Sequence, residues 1–478
     1  MVKNHIIEIL TNKLEHIPTD DQKSLISQLS DFISGFKDAI ENQDKVFLVK
    51  GYAGTGKTSV ISALVKSLPA LRLKSVLLAP TGRAAKVLSV YSGKPASTIH
   101  KKIYRQKTQK DGIGEFALDK NLHQNTLFIV DESSMISNES FENSVFGSGR
   151  VLDDLMEYVY SGTNCKLILV GDTAQLPPVG LAVSPALDAK VIDRMGFTVQ
   201  QMELTQVVRQ SEKSGVLHNA TLLRERIADS MEGYPTFELA GYSDIVKLSG
   251  ADLIEEIDQC YSKYGKDNTL VICRSNKRAN RYNEGIRKSI LWHEDELSVG
   301  DLLMVVKNNY FWLTEEDKEK TEFIANGDIV EVTRIGKYKE LYGFRFADVS
   351  VKFMDYPELE IETNIMLDTL TSETASLSSA QNNQFFYAVL EDYAHLNLKK
   401  DRIKSVKENP YFNALQVKFS YAITCHKAQG GQWNAVFVDQ GWLTDEMINI
   451  EYLRWLYTAL TRPVEKLYLV NFKDEFFK

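Results

Sequence analysis

Cysteine is scarce, with four in 478 residues, and Cys165, Cys260, Cys273 and Cys425 stand far apart. There is no C-x-x-C pair and no histidine at ligand spacing, which argues against a disulfide framework or a zinc site and for a reducing compartment. Long hydrophobic runs are missing as well. No uncharged apolar stretch reaches the ~18 residues that cross a bilayer. Lys3, His5, Glu8 and Lys13 break up the apolar N-terminal positions, so no signal peptide is expected and the cytoplasm is the expected location. An excess of positive charge is also absent: 56 Lys and Arg against 64 Asp and Glu give −8. That balance argues at first against an anionic polymer as ligand. Its distribution argues the other way. Lys45 to Lys110 holds 14 Lys or Arg and no Asp or Glu, while the rest of the chain carries −22. An acid-free stretch of that length suggests a surface kept clear for phosphates.

What is present begins with two amphipathic helices. Ile6, Ile7, Leu10 and Leu14 share one face, Pro18 interrupts, and Thr19 can cap a helix carrying Leu25, Leu29, Phe32, Ile33 and Phe36. Short, unbroken apolar runs follow at 46–49, 75–79, 127–130 and 167–170, alternating with helical patterns. Such runs mark a parallel sheet covered on both faces, hence an α/β fold. A second set lies at 270–273, 435–438 and 467–470. Between them, from 299 to 411, the pattern becomes antiparallel and β-rich. The expected division is 1–188 for the first α/β domain, 189–298 with 412–478 for the second, and 299–411 for a β-rich insert. Within the insert, 314–322 is expected to be a polar loop and 371–384 irregular.

Gly51-Tyr52-Ala53-Gly54-Thr55-Gly56-Lys57-Thr58 fits G-x-x-x-x-G-K-[ST] between a strand and a helix. The glycines let backbone N–H groups face phosphate oxygens, so Gly51, Ala53, Gly54, Thr55, Gly56, Lys57, Thr58 and Ser59 are candidate nucleotide contacts. Lys57 would neutralise the β- and γ-phosphates of ATP, and the Thr58 hydroxyl would hold Mg²⁺. Asp131 and Glu132 close an apolar strand, at the sheet edge where ligands bind in open α/β folds. Asp131 would complete the Mg²⁺ shell and Glu132 would orient and deprotonate the attacking water. Gln175 follows a further strand ending in Gly171-Asp172, and can bond a γ-phosphate or water without adding charge.

In order, GYAGTGKTS (51–59), LLAPTGRAAKVL (77–88), STIH (97–100), FIVDESSM (128–135), LILVGDTAQLPPVG (167–180), LTQVVRQ (204–210), YAITCHKAQGGQW (421–433) and LYTALTRPVEKLYLV (456–470) resemble the motifs of superfamily 1 helicases, specifically the RecD/Dda-like branch of superfamily 1B. The resemblance spans about 19 to 470. It implies two RecA-like P-loop NTPase domains, 1A and 2A, with a β-hairpin pin (1B, 101–124) and an SH3-like 2B insert turning at Asn326-Gly327-Asp328. It implies that Gln22 reads adenine and that Arg209 and Arg462 reach the γ-phosphate from 2A. It places nucleic-acid contacts at Thr81, Arg83, Thr98 and His100 in 1A, and at Thr424, His426 and Lys427 in 2A. The pin tip would be Asp111-Gly112-Ile113-Gly114, flanked by Tyr104 and Phe116. Pro463 and Gly431-Gln432 depart from the usual motif residues.

The implied activity is ATP hydrolysis by a monomer moving 5′ to 3′ on single-stranded DNA and opening duplex at junctions, in repair, recombination or replication. The expected host is a bacterial or phage-infected cell. A translocase that strips proteins with little unwinding and a binding module without catalysis remain the alternatives, and the intact Lys57, Asp131, Glu132, Gln175 and Arg462 count against the second. Single-strand affinity should fall with salt, each contacted phosphate contributing a slope of about −0.7 in log–log titrations. A salt-independent affinity would show the 45–110 stretch to be an ordinary solvated face.

Overall fold

The computed structural model describes residues 2–14, 16–34, 36, 44–106, 116–139, 147–208, 214–317, 323–356 and 358–477. Among the described residues no helix is long and apolar enough to cross a membrane. The strands are β1 Lys45–Gly51, β2 Lys74–Ala79, β3 Ala96–Thr98, β4 Tyr104–Gln106, β5 Phe116–Leu118, β6 Thr126–Val130, β7 Lys166–Gly171, β8 Thr198–Leu204 and β9 Ile245–Leu248. They continue as β10 Thr269–Cys273, β11 Leu302–Val305, β12 Ile329–Leu341, β13 Phe344–Phe353, β14 Glu360–Met366, β15 Leu415–Phe419, β16 Ala422–Thr424, β17 Trp433–Asp439 and β18 Pro463–Val470.

The first sheet is parallel, ordered β3-β2-β6-β7-β1-β8. Its central strands are buried on both faces: Val46 to Val49, Leu127 to Val130 and Leu167 to Val170 have no exposed surface. One face packs on the helices Val2–Asn12, Asp20–Ser34 and Lys57–Ser67, through Leu10, Leu25, Leu29, Phe32 and Leu64. The other packs on the helix Val151–Tyr160 through Leu152, Leu155 and Val159. The second sheet, β16-β10-β17-β18-β9, is also parallel. Both sheets therefore present strand carboxyl ends from which loops can build a site.

Strands β11 to β15 close into a barrel, with β15 pairing antiparallel to β11. Gly327 turns at φ +100° ahead of β12, a left-handed conformation that favours glycine at the expected Asn326-Gly327-Asp328 turn. Three boundaries differ from the sequence expectation. Strand β8 pairs in register with β1, so the first sheet continues past 188 to Leu204. Strand β15 is a barrel strand, so the insert runs past 411 to Phe419. Finally, 371–384 is not irregular throughout, because a helix Ser379–Asp392 starts inside it. Ser378 accepts from the Gln381 N–H while the Gln381 side chain accepts from the Ser378 N–H, a reciprocal cap. That helix packs Phe385 and Val389 on Phe344 and Phe346 of the barrel, beside Val406 of the helix Lys399–Glu408.

Asp301 ties the barrel to the second sheet. It has no exposed surface, and accepts from Arg287 Nε at 3.0 Å and Nη2 at 2.9 Å, from the Ser298 N–H at 2.8 Å and from the Tyr421 hydroxyl at 3.0 Å. His293 Nδ1 lies 3.0 Å from the same carboxylate. The Tyr421 hydroxyl in turn accepts from the Leu302 N–H, the first residue of β11. Asp301→Ala would leave the Arg287 guanidinium buried without its anion. It should lower unfolding free energy by about 3–5 kcal/mol in urea titrations; a loss below about 1 kcal/mol would show that solvent reaches Arg287 in the variant.

Candidate nucleotide and nucleic-acid sites

The loop after β1 wraps tightly. Gly54 and Gly56 have φ +75° and +77°, and a Cβ on either would collide, at Gly54 with Leu217 Cδ2 (2.5 Å) and at Gly56 with Gln22 Nε2 (2.3 Å). Gly56 is the N-cap of the helix Lys57–Ser67 and supplies no side-chain cap, leaving the first-turn N–H groups for a ligand. Gly51 and Thr55 lie beneath the loop, where the Thr55 hydroxyl donates to the Tyr52 carbonyl at 2.8 Å. Lys57 Nζ also donates to that carbonyl (2.9 Å) and stands 4.0 Å from Asp172 Oδ2.

A cavity of about 540 Å³ opens between the two sheets. From the first sheet it is lined by Ala53, Gly54, Gly56, Lys57, Thr58, Ser59, Asp131, Glu132, Asp172 and Gln175, and from the second by Ser214, Leu217, Asp244 and Arg462. Three features suit it to a polyphosphate. Gln175 is buried and its Oε1 has no hydrogen-bond partner. Arg462 is 4% exposed and, among the described residues, bonds only neutral oxygens: the Thr458 carbonyl (2.9 Å), the Gly431 carbonyl (3.3 Å) and the Thr461 hydroxyl (3.0 Å). A buried guanidinium without a carboxylate is costly unless an anion joins it. Glu132 adopts φ +52°, a left-handed conformation that is strained for glutamate and aims it off the end of β6.

The structure departs from expectation at Gln22. Its side chain is fully buried, donating to the Thr55 carbonyl at 3.0 Å and accepting from the Thr19 N–H at 3.1 Å. In this arrangement Gln22 braces the loop from below and does not line the cavity; His16, 3.0 Å from Gln22 Oε1, does. Arg209 lies outside the described residues, whereas Val208 and Ser214 on either side of that gap line the cavity.

The expected nucleic-acid contacts form two groups. Thr81, Thr98 and Thr424 stand at the carboxyl ends of β2, β3 and β16, where Thr81 and Thr98 cap the helices that follow. Thr98 lines a second cavity, about 780 Å³, between the edge of the first sheet and the barrel. Lys86, Lys94, Lys101 and Lys102 line it opposite Phe323 and Tyr356, together with the carboxylates of Asp328 and Asp355. Lys427 Nζ is buried without a hydrogen-bond partner, and burial lowers its pKa to about 8. His426 is exposed. Burial lowers the His100 pKa to about 4, so its imidazole is neutral at pH 7.

Arg83 is used otherwise. Its guanidinium lies 4.1 Å over the Trp433 ring and donates to the Gln432 carbonyl at 3.1 Å, bridging the two sheets. Tyr104 is core, 3% exposed with its hydroxyl 2.6 Å from Asp154. Phe116, on the paired hairpin strand, packs 4.5 Å from the Tyr310 ring next to the barrel. The expected pin tip at 111–114 lies outside the described residues.

Residues that sequence reading passed over complete the cleft. Tyr457 OH lies 2.7 Å from Asp172 and accepts from the Ala53 N–H at 2.8 Å. Thr458 Oγ1 accepts from the Leu176 N–H at 2.8 Å, and Arg454 donates to the carbonyls of Thr173 and Gln175. Their 454, 457, 458 spacing on one helical face was the available signal, but the same spacing also describes a core stripe.

Two parallel sheets facing a P-loop cavity, one bearing the acidic strand end and the other a buried arginine, define a P-loop NTPase with paired RecA-like domains. Family models agree: an AAA domain matches 34–235, and a UvrD-like helicase C-terminal domain matches 419–470. Among curated relatives, an uncharacterized protein of Acanthamoeba polyphaga mimivirus is 25% identical, over 93% of this chain and 98% of its own. The ATP-dependent DNA helicase dda of Enterobacteria phage T4 is 23% identical, over 84% of this chain and 89% of its own. The ATP-dependent RecD2 DNA helicase of Deinococcus radiodurans is 31% identical, over 37% of this chain and 21% of its own. In its order of domains and in these relatives, the chain is similar to the superfamily 1B helicases of the RecD/Dda type.

Burial, and next the charge of Glu132, push the Asp131 pKa up from 3.8 to about 6. The folded state thus holds this proton more tightly than the unfolded chain, and the resulting stability is full below pH ~4 and lost as pH rises through about 6. In urea titrations the stability gap between wild type and Asp131→Asn should change by about 2–3 kcal/mol between pH 4 and 7. A gap independent of pH would show that Asp131 ionises at the same pH in both states.

Proposed function

We propose that the chain is an ATP-dependent DNA helicase, hydrolysing ATP in the cleft to move along single-stranded DNA, 5′ to 3′. The observation that carries this reading is the buried Arg462, held without a carboxylate by the second sheet and facing the phosphate loop of the first. A cation so placed stabilises charge on a transferring phosphoryl group only when both sheets close on the same ligand.

The roles follow from position. The uncapped N–H groups of the Lys57–Ser67 helix and Lys57 bind the phosphates. Gln175, with its unpartnered Oε1, bonds the terminal phosphate or the attacking water. Glu132 orients that water and accepts its proton. Thr58 and Asp131 would hold Mg²⁺, which would supply neutralisation of phosphate charge; one hydroxyl and one carboxylate suit an ion that keeps water and phosphate ligands. His16 and Tyr52 also line the cavity, where they would meet the nucleoside, and Gln22 supports the loop.

On the nucleic-acid side, hydroxyls at the ends of β2 and β3 and those of β16 would grip the strand from the two motor domains in turn. The lysine-lined cavity beside Thr98 would take the strand backbone. Contacts of this kind hold phosphate without reading sequence. The protein acts as a monomer on single strands and on junctions with duplex. The alternative, a translocase that strips proteins with little unwinding, draws on the placement of Tyr104 in the core and Phe116 against Tyr310.

Strand displacement on duplexes carrying a single 5′ or 3′ tail should occur with the 5′ tail, require ATP and vanish in Lys57→Ala. Displacement from the 3′ tail alone would refute the direction, and the absence of single-strand-stimulated ATP hydrolysis would refute the motor. If deleting 111–115 leaves displacement unchanged, the protein-stripping reading gains.

A further inference from the structure

We propose that Tyr457 is the positioning residue through which the second domain sets the geometry of the nucleotide cavity, linking nucleotide binding to the grip on nucleic acid. The inference rests on the helicase reading above.

A phenol carries one proton. Here it goes to Asp172 Oδ2 at 2.7 Å, while a lone pair accepts the Ala53 N–H of the phosphate loop at 2.8 Å. Asp172 is 1% exposed, and its other oxygen accepts from the Ala174 N–H at 2.9 Å. One buried hydroxyl, on a helix of the second domain, therefore joins two separate segments of the first: the start of the phosphate loop and the turn leading to Gln175. Tyr457 itself is 1% exposed, so the phenol is held within the protein.

The rest of that helix face acts on the same turn. Arg454 takes the Gln175 carbonyl at 3.3 Å and the Thr173 carbonyl, while Thr458 takes the next N–H, that of Leu176, at 2.8 Å. The backbone on both sides of Gln175 is thus held by the second domain, leaving only its side chain turned to the ligand. Gln429, two residues after Lys427, donates to the Leu176 carbonyl at 2.7 Å, so the nucleic-acid segment 424–427 reaches the same turn. Rotation of the second domain displaces Ala53, Asp172 and Gln175 together. Arg462, one turn beyond Thr458, enters the cavity from the same helix end.

Removing the hydroxyl leaves the ring's volume and frees Asp172 and Ala53 from the second domain. The test measures affinity for a fluorescein-labelled oligo(dT) with and without a non-hydrolysable ATP analogue and Mg²⁺, and affinity for the analogue with and without oligo(dT). Binding linkage makes the two coupling factors equal. In Tyr457→Phe the factor should fall about five- to tenfold toward 1, while each ligand alone binds within about twofold of wild type. A retained factor overturns the proposal. So does a parallel loss of both single-ligand affinities with a lowered Tm, which marks a packing role only. Absence of coupling in the wild type would refute the helicase reading instead, and the role of Tyr457 with it. Should Tyr457→Phe not fold, Thr458→Val, which removes the acceptor of the Leu176 N–H, carries the same expectation and the same refutations.

Discussion

A buried positive charge without a negative neighbour is the constraint on which this structure turns. Arg462 is enclosed by the second domain, yet among the described residues every group it bonds is a neutral oxygen. A soluble protein ordinarily pairs such a guanidinium with a carboxylate, as Arg287 is paired with Asp301. Under the proposed function, an anion from outside would complete the site that Arg462 leaves without a carboxylate among the described residues. Lys57, across the cavity, rests on a carbonyl with its nearest carboxylate oxygen 4.0 Å away. The two cations come from different sheets, so a ligand that satisfies both holds the two domains together.

Close approach of the domains is what makes that arrangement work, and small residues permit it. A Cβ at Gly430 would strike Ala84 at 2.7 Å, and one at Gly431 would strike Arg83 Cδ at 2.9 Å. Arg83 then stacks on Trp433, and Lys86 pairs with Asp355 across to the barrel at 2.7 Å. The barrel is anchored to the second sheet through Asp301 and touches the first domain through Lys86. The barrel also shares a continuous apolar core with the second sheet, where Leu303, Val330 and Phe419 pack with Val271 and Phe437, whereas its link to the first domain includes the polar Lys86–Asp355 pair.

The parallel sheets were legible because their strands are continuous apolar runs, a pattern that follows from burial on both faces. The phosphate loop was legible because its glycines answer local steric needs, and the Cβ collisions at Gly54 and Gly56 bear that out. Other elements were not. Strand β8 carries Gln200, Gln201 and Glu203 among its apolar residues because it is an edge strand, which hid its membership of the first sheet. The Ser378–Gln381 cap was written in the chain but obscured by a run of Ser, Thr and Asn that reads as loop. Gln22 was a candidate through the family resemblance, and its orientation under the loop is a matter of which neighbour lies closer in space.

The sequence by itself determined the chemistry: a phosphate loop, an acidic strand end, a glutamine and an arginine in the order of superfamily 1B, with an acid-free stretch around the first of them. Those signals are local, since each depends on a few consecutive residues and their φ, ψ and charge requirements. Only the tertiary structure decided which side chains face the ligand and which hold the frame. It turned Arg83 toward the other domain, set Tyr104 in the core, and placed Tyr457 between Ala53 and Asp172. The physical reason is distance along the chain. Tyr457 and its two partners are 404 and 285 residues apart, and no local pattern encodes a hydrogen bond that exists only after two independently formed sheets have docked.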